Sequence, residues 1–307
     1  MKGLILRSTG LWYDVLSENN HRYKGRLRGK LRLNDEKVTN PIAVGDRVEM
    51  SLEDEEENTV LIEKIEKREN YINRQSPKKE GFAHTIAANL DQAIVVVTLA
   101  MPRTSAGFID RFLVSAEAFR IPAILIFNKT DLLSKDELHI QEKMMQRYEQ
   151  IGYKCIAISA TEDKDISKVE EMLRNKVSLV SGHSGVGKST LLNRLSPEIE
   201  QSTTEVSDYT EKGLHTTTFA EMFEIEKNTF VIDTPGIKEL GLMDMEKAEI
   251  SHYFPEMRER LNQCKYNNCL HLREPKCAVI EAVESGEIAK SRYNSYLSMM
   301  EGQDNRR

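Results

Sequence analysis

The stretch Val177–Leu195 reads VSLVSGHSGVGKSTLLNRL and sets the terms for the whole 307-residue chain. Val177–Val180 is a short apolar run suited to a buried parallel strand, and Leu191, Leu192 and Leu195 recur at helical spacing. Between them lies Gly182-x4-Gly187-Lys188-Ser189. Strand, glycine loop and helix in that order make a phosphate cradle. Backbone N–H groups turn inward, and the helix N-terminus adds the positive end of its dipole. Gly182, His183, Ser184, Gly185, Val186, Gly187, Lys188, Ser189 and Thr190 are therefore the expected phosphate-binding residues. Lys188 is expected to reach the β- and γ-phosphates, and Ser189 to offer its hydroxyl to Mg2+. The expected ligand is a nucleoside triphosphate.

At this length two or three domains are expected. A content of 39% apolar residues supplies real cores, and 30% charged residues suits an exposed surface. The apolar run Ala93–Met101 is too short to span a bilayer. The start MKGLILRSTG is interrupted by Arg7 and has no small-residue cleavage site, so the cytoplasm is the expected compartment and no membrane partner is expected. Four cysteines argue against a disulfide scaffold. A net charge of −6 argues against coating nucleic acid with the whole surface, but leaves room for a local basic patch.

Residues 1–70 show short alternating stretches broken by turn residues: Gly3–Arg7, Leu11–Leu16, His21–Leu33, Val44–Met50 and Thr59–Ile65. Five short strands in this span predict an OB-type β-barrel. In His21–Leu33 every even position is basic: Arg22, Lys24, Arg26, Arg28, Lys30 and Arg32. Side chains alternate along a strand, so these six form a ridge on one face, with Gly25 and Gly29 among the inward positions. An edge strand protected from aggregation needs only one or two such charges. The ridge is therefore expected to bind a polyanion, RNA before DNA. The acidic run Glu53–Glu57 is expected to be a solvated turn.

Residues 71–243 form the expected nucleotide-binding domain, with a polar linker over 71–88. Ala93–Ala100 and Ala123–Phe127 predict strands, and Phe108–Arg120 predicts a helix between them. Asn128-Lys129-Thr130-Asp131 follows the second strand, where ligands of open α/β sheets bind. A carboxylate at Asp131 can accept from guanine N1–H and N2–H2 together, whereas adenine would leave it desolvated and unpaired. Asn128 can bond the base's other edge, and the Lys129 stem can lie along its ring. Ser134 and Glu137 predict a capping box, and Cys155–Ser159 a strand ending in Ser159-Ala160. Beyond the phosphate loop, Glu205–Thr218 is polar and threonine-rich, as a switch loop is. Thr229–Ile232 predicts a strand leading to Asp233-Thr234-Pro235-Gly236. Asp233 suits the metal side, and the Gly236 N–H suits the γ-phosphate.

These stretches resemble the five signatures of a Ras-like GTPase in rotated order, base-reading motifs first, and so resemble a circularly permuted GTPase. Joining and reopening chain ends leaves a packed sheet intact. Ile237 stands where Ras-type enzymes place a water-orienting glutamine, so slow turnover is expected without a partner. His215 is the nearest candidate to orient water. Thr217 beside it is the expected Mg2+ ligand, with Thr216 and Thr218 as alternatives.

Residues 244–307 contain Cys264-x4-Cys269-x-His271-x5-Cys277, the donor set of a closed tetrahedral zinc site. With no open coordination position, one structural Zn2+ is expected, flanked by helices over Met245–Gln263 and Val279–Glu301. The expected fold is a multidomain α/β protein: an OB-type barrel, a permuted P-loop GTPase domain and a helical zinc-binding module. That combination resembles the ribosome small subunit-dependent GTPase A family. The resemblance implies a bacterial monomeric GTPase that binds the small (30S) ribosomal subunit and its 16S rRNA late in assembly. It also implies GTP hydrolysis to GDP on ribosome stimulation, and it too points to His215. The alternative is a ribosome-independent regulatory GTPase acting on a protein partner.

Overall fold

The structure is a computed structural model, and it describes residues 1–9, 11–28, 41–75, 83–196, 220–233 and 245–302. The first strands are β1 (Lys2–Ser8), β2 (Tyr13–Ser17), β3 (Arg22–Leu27), β4 (Arg47–Asp54) and β5 (Thr59–Ile65). β1 pairs antiparallel with β2 and β4, β2 with β3, and β4 with β5, while β3 runs parallel to β5. The ring is closed. Alternation fills it, because Ile5, Tyr13, Val15, Val48, Met50, Val60 and Ile62 all point inward and are almost fully buried. Gly25 is inward for lack of space: a Cβ there would lie 2.9 Å from Val15 Cγ2.

Two strand starts differ from the sequence reading, each because a turn claims the residues. Thr9 Oγ1 donates to the Trp12 carbonyl (3.0 Å), so β2 begins at Tyr13. The Ala43 N–H donates to Asp46 Oδ2 (2.8 Å), so β4 begins at Arg47. The strand expected over His21–Leu33 is β3, and residues 29–33 lie outside the described set. The expected linker also holds regular structure. β6 (Tyr71–Gln75) and β7 (Ala83–Ala88) pair antiparallel within it. Arg68 ties this segment to the barrel, Nε and Nη2 each 2.7 Å from a carboxylate oxygen of the buried Asp46.

Strands and helices then alternate: β8 (Gln92–Val97), α1 (Ala106–Ala118), β9 (Ala123–Phe127), α2 (Lys135–Ile151), β10 (Lys154–Ala157), α3 (Asp163–Leu173), β11 (Val177–Gly182) and α4 (Lys188–Leu195). β12 (Glu221–Glu226), which the sequence reading did not anticipate, and β13 (Thr229–Asp233) follow. The C-terminal segment carries α5 (Pro255–Arg258), α6 (Ala278–Ser285) and α7 (Lys290–Met300). The helix expected over Met245–Gln263 is instead two 3-10 stretches around the four-residue α5. Pro255 has no N–H to continue a helix and fits only its first turn. Gly286, at φ +84°, ends α6 and splits the second expected helix in two.

The chain divides into two compact units. The first comprises Met1–Ile94, Ala160–Gly182 and Gly187–Glu239; the second comprises Val95–Ser159, His183–Val186 and Leu240–Arg307. In the first, β11 pairs parallel with β13, β13 antiparallel with β12, and β12 antiparallel with β1 of the barrel. In the second, β9 pairs parallel with β10. The C-terminal core of that unit gathers Ile250, Phe254, Met257, Val279, Tyr296 and Met299 with Val114 of α1.

Candidate nucleotide and metal sites

The phosphate loop has the backbone its sequence calls for. Gly185 and Gly187 sit at φ +83° and +90°, a region costly for any residue with a Cβ, and Gly187 caps α4. Ser184, Gly185, Ser189 and Thr190 are exposed, as a cradle for an incoming ligand requires. Lys188 opens α4, and its Nζ lies 3.1 Å from Asp233 Oδ1. Parallel pairing makes that contact: Val180 of β11 is opposite Asp233, so the two strand ends that carry chemistry lie side by side. Lysine and aspartate together suit a γ-phosphate and the cation that accompanies it.

The residues expected to read the base are braced within the second unit. Asn128 follows β9 and is buried, its Nδ2 donating to the Val186 carbonyl of the phosphate loop (2.8 Å). Lys129 takes a left-handed conformation (φ +62°), and its Nζ donates to the Met101 carbonyl (2.8 Å). Asp131 is exposed; its Oδ1 accepts from Ser159 Oγ (2.6 Å), and its N–H donates to the same hydroxyl oxygen (3.1 Å). Ser159 therefore holds one carboxylate oxygen of Asp131. Ala160, next in the chain, is buried. His183 stacks on Phe108 of α1 with ring centroids 3.8 Å apart. The sequence reading did not find Met101, Phe108 or the Val186 carbonyl. A backbone acceptor leaves no sequence signal, and Phe108 reads as ordinary helix core.

Cys264, Cys269, His271 and Cys277 bring one ligand atom each to within 4.8 Å of one another, and none of these cysteines is in a disulfide. His271 turns Nδ1 into the cluster, 3.3 Å from Cys277 Sγ and 3.6 Å from Cys264 Sγ. Burial pushes the Cys277 thiol up to about 12, raises Cys269 and lowers His271. Thiolates crowded in such a place need a cation, so the donor set fits one soft divalent ion. Two tyrosines of α7 pin the loop: Tyr293 Oη donates to the His271 carbonyl (2.6 Å) and Tyr296 Oη to that of Leu270 (2.5 Å).

The basic ridge is not bare. Lys24 pairs with Asp14 (2.6 Å), Arg26 Nε with Glu53 (2.7 Å) and Arg28 with Glu63 (2.9 Å). Glu53 is therefore an ion-pair partner rather than part of a solvated turn. Lys30, Arg32, His215, Thr217 and Gly236 lie outside the described residues.

A phosphate loop whose strand pairs with the Asp233 strand, preceded in the chain by an Asn-Lys-x-Asp base reader, defines a circularly permuted P-loop GTPase. Family models agree: RsgA GTPase matches residues 65–243 and RsgA N-terminal domain matches residues 2–60. The chain belongs to the RsgA GTPase family and is a GTP-hydrolysing enzyme. It is 50% identical over 304 residues to "Small ribosomal subunit biogenesis GTPase RsgA" of Bacteroides fragilis, covering 99% of this chain and 97% of that one. The relative of the same name in Cytophaga hutchinsonii is 50% identical over 307 residues, with both chains fully covered. Among solved structures, YjeQ from Thermotoga maritima matches at TM-score 0.79 and 36% identity, covering 100% of this chain and 99% of that one. YloQ, described as a circularly permuted GTPase, matches at TM-score 0.76 and 30% identity, covering 100% and 96%. No helix among the described residues is long and apolar enough to cross a membrane.

Proposed function

We propose that this GTPase acts in biogenesis of the small ribosomal subunit, hydrolysing GTP when bound to that particle. The observation that carries the reading is the full-length match to relatives named for that task. In it Asp131 reads guanine, with Asn128 and Lys129 holding the base, and Lys188 and the loop N–H groups hold the phosphates. Ser189, Thr217 and Asp233 serve Mg2+, which when bound neutralises charge on the β- and γ-phosphate oxygens. The Gly236 N–H faces the γ-phosphate, and His215 orients the attacking water. Cys264, Cys269, His271 and Cys277 hold one structural Zn2+, and metal analysis of chelator-free protein is expected to find about one per chain. The ridge from Arg22 to Arg32 meets 16S rRNA, and the protein works as a cytoplasmic monomer.

One observation favours a ribosome-independent regulatory GTPase: the ridge already has carboxylate partners. Exposed pairs of this kind are worth roughly 0–1 kcal/mol, so RNA phosphates can displace them. The deciding experiment is GTP turnover with and without purified small subunits. Stimulation supports the assembly reading, and unchanged turnover with subunits present selects the regulatory one.

A further inference from the structure

One sheet face in the first unit carries a row of charges that runs from the barrel to Asp233. Lys24 on β3 is directly opposite Asp14 on β2, and Asp14 is opposite Arg7 on β1. Arg7 is opposite Glu221 on β12, and Glu221 is opposite Asp233 on β13. Directly opposed residues of antiparallel strands share a face, with Cβ atoms about 4.5–5.5 Å apart. The signs run plus, minus, plus, minus, minus. Lys188 ends the row 3.1 Å from Asp233, and at the other end Lys24 lies 2.6 Å from Asp14. Exposure falls along it: Lys24 is exposed, Asp14, Arg7 and Glu221 are half-buried, and Asp233 is buried.

Two like charges meet only at Glu221 and Asp233. Burial raises the Glu221 pKa; Arg7 and Arg22 oppose the shift, while Asp14 and Asp233 add to it. A second carboxylate beside Asp233 is a cost without a cation and an advantage with one. Mg2+ keeps most of its waters, so a carboxylate need not touch the ion to favour it.

We propose that Glu221 is a positioning residue for the Mg2+ side of the nucleotide site, its charge divided between Arg7 of the barrel and Asp233, and that RNA held on β3 shifts that division. The second half rests on the barrel being the RNA surface. A phosphate that takes Lys24 from Asp14 leaves Asp14 to draw on Arg7. Glu221 is then less neutralised, the field at Asp233 becomes more negative, and Mg2+ with its nucleotide is held more tightly.

The test follows release of a fluorescent GDP analogue from the full chain, with Mg2+ and in Mg2+-free buffer. The Mg2+-free rate divided by the rate with Mg2+ measures retention by Mg2+. Glu221→Gln is expected to lower that ratio roughly three- to tenfold with the Mg2+-free rate unchanged. Arg7→Gln is expected to raise it by a similar factor, and Lys24→Gln, at the exposed end, to raise it less. Poly(U) RNA is expected to raise the wild-type ratio and leave that of Glu221→Gln where it was. A purely structural role for the row would change both rates together, and equal ratios in wild type and all variants overturn the proposal. If the substitutions move the ratio in opposite directions but poly(U) does not bind, Glu221 keeps its role and the RNA half is overturned.

Discussion

Asp131 shows how much of this site rests on single atoms. Ser159 holds Oδ1 at 2.6 Å, and in the proposed function the carboxylate accepts from the base edge. Replacing Asp131 with Asn turns one acceptor into a donor facing guanine donors. GTP affinity is expected to fall by about 1–3 kcal/mol, while xanthosine triphosphate, whose C2 carbonyl accepts from the new amide, gains. Competition binding with the two nucleotides checks this, and unchanged preference would remove Asp131 from base reading. The candidate residues Asn128, Asp131, Lys188 and Asp233 were legible in the sequence, because each lies at the end of an apolar strand or in or just after the loop that leaves one, where such sheets bind ligands. Their braces were not. Lys129 is held by a carbonyl at Met101, 28 positions away in the chain, and any residue type supplies a carbonyl.

At the scale of elements, the second unit is joined by charge as well as by its apolar core. Arg292 of α7 is fully buried, with Nη1 2.8 Å from Asp110 of α1 and Nε 2.7 Å from Glu256 of α5. Tyr148 of α2 donates to the same Asp110 oxygen (2.9 Å), and the guanidinium lies over the Phe254 ring at 4.5 Å. Burial disfavours that charge, yet the two carboxylates overcome it and keep the guanidinium protonated. Arg292→Met would strand two buried carboxylates, so a loss of about 3–5 kcal/mol in urea unfolding is expected. A loss under about 1 kcal/mol would show that water reaches the cluster. No sequence pattern announces it, since its members are spread from residue 110 to residue 292 and each reads as a surface charge. The ridge was legible as a periodic run, but its counter-ions on β2, β4 and β5 depend on barrel closure. Reversing Arg26 and Arg28 to Glu is expected to weaken small-subunit binding and flatten its salt dependence. The slope should fall by roughly 0.7 log units per log of salt for each RNA phosphate that the variant no longer neutralises. An unaltered slope in a folded variant would leave the ridge a set of ion pairs within the barrel.

For the whole molecule the proposed function raises the question of what would make hydrolysis depend on a partner. Ile237 follows Asp233-Thr234-Pro235-Gly236, and its side chain has no polar group to orient water. Under the proposed function Lys188 serves the phosphates, Asp233 the metal and Asp131 the base, and none of the three is assigned the attacking water. Binding GTP and hydrolysing it thus fall, in that reading, to different residues. His215 is the sequence's candidate for the second task, beside the threonine proposed for Mg2+. An imidazole orients water only when its own position is held, and a large particle touching the protein is a means of holding it. The expected outcome for His215→Ala, assayed with saturating small subunits, is loss of stimulated turnover by roughly 10²–10⁴-fold, the range for a positioned acid–base group. GTP affinity and subunit binding should stay as they were, because neither Asp131 nor Lys188 nor the ridge is touched. Full stimulation in the variant would assign the water to another group, contributed in that case by the particle itself.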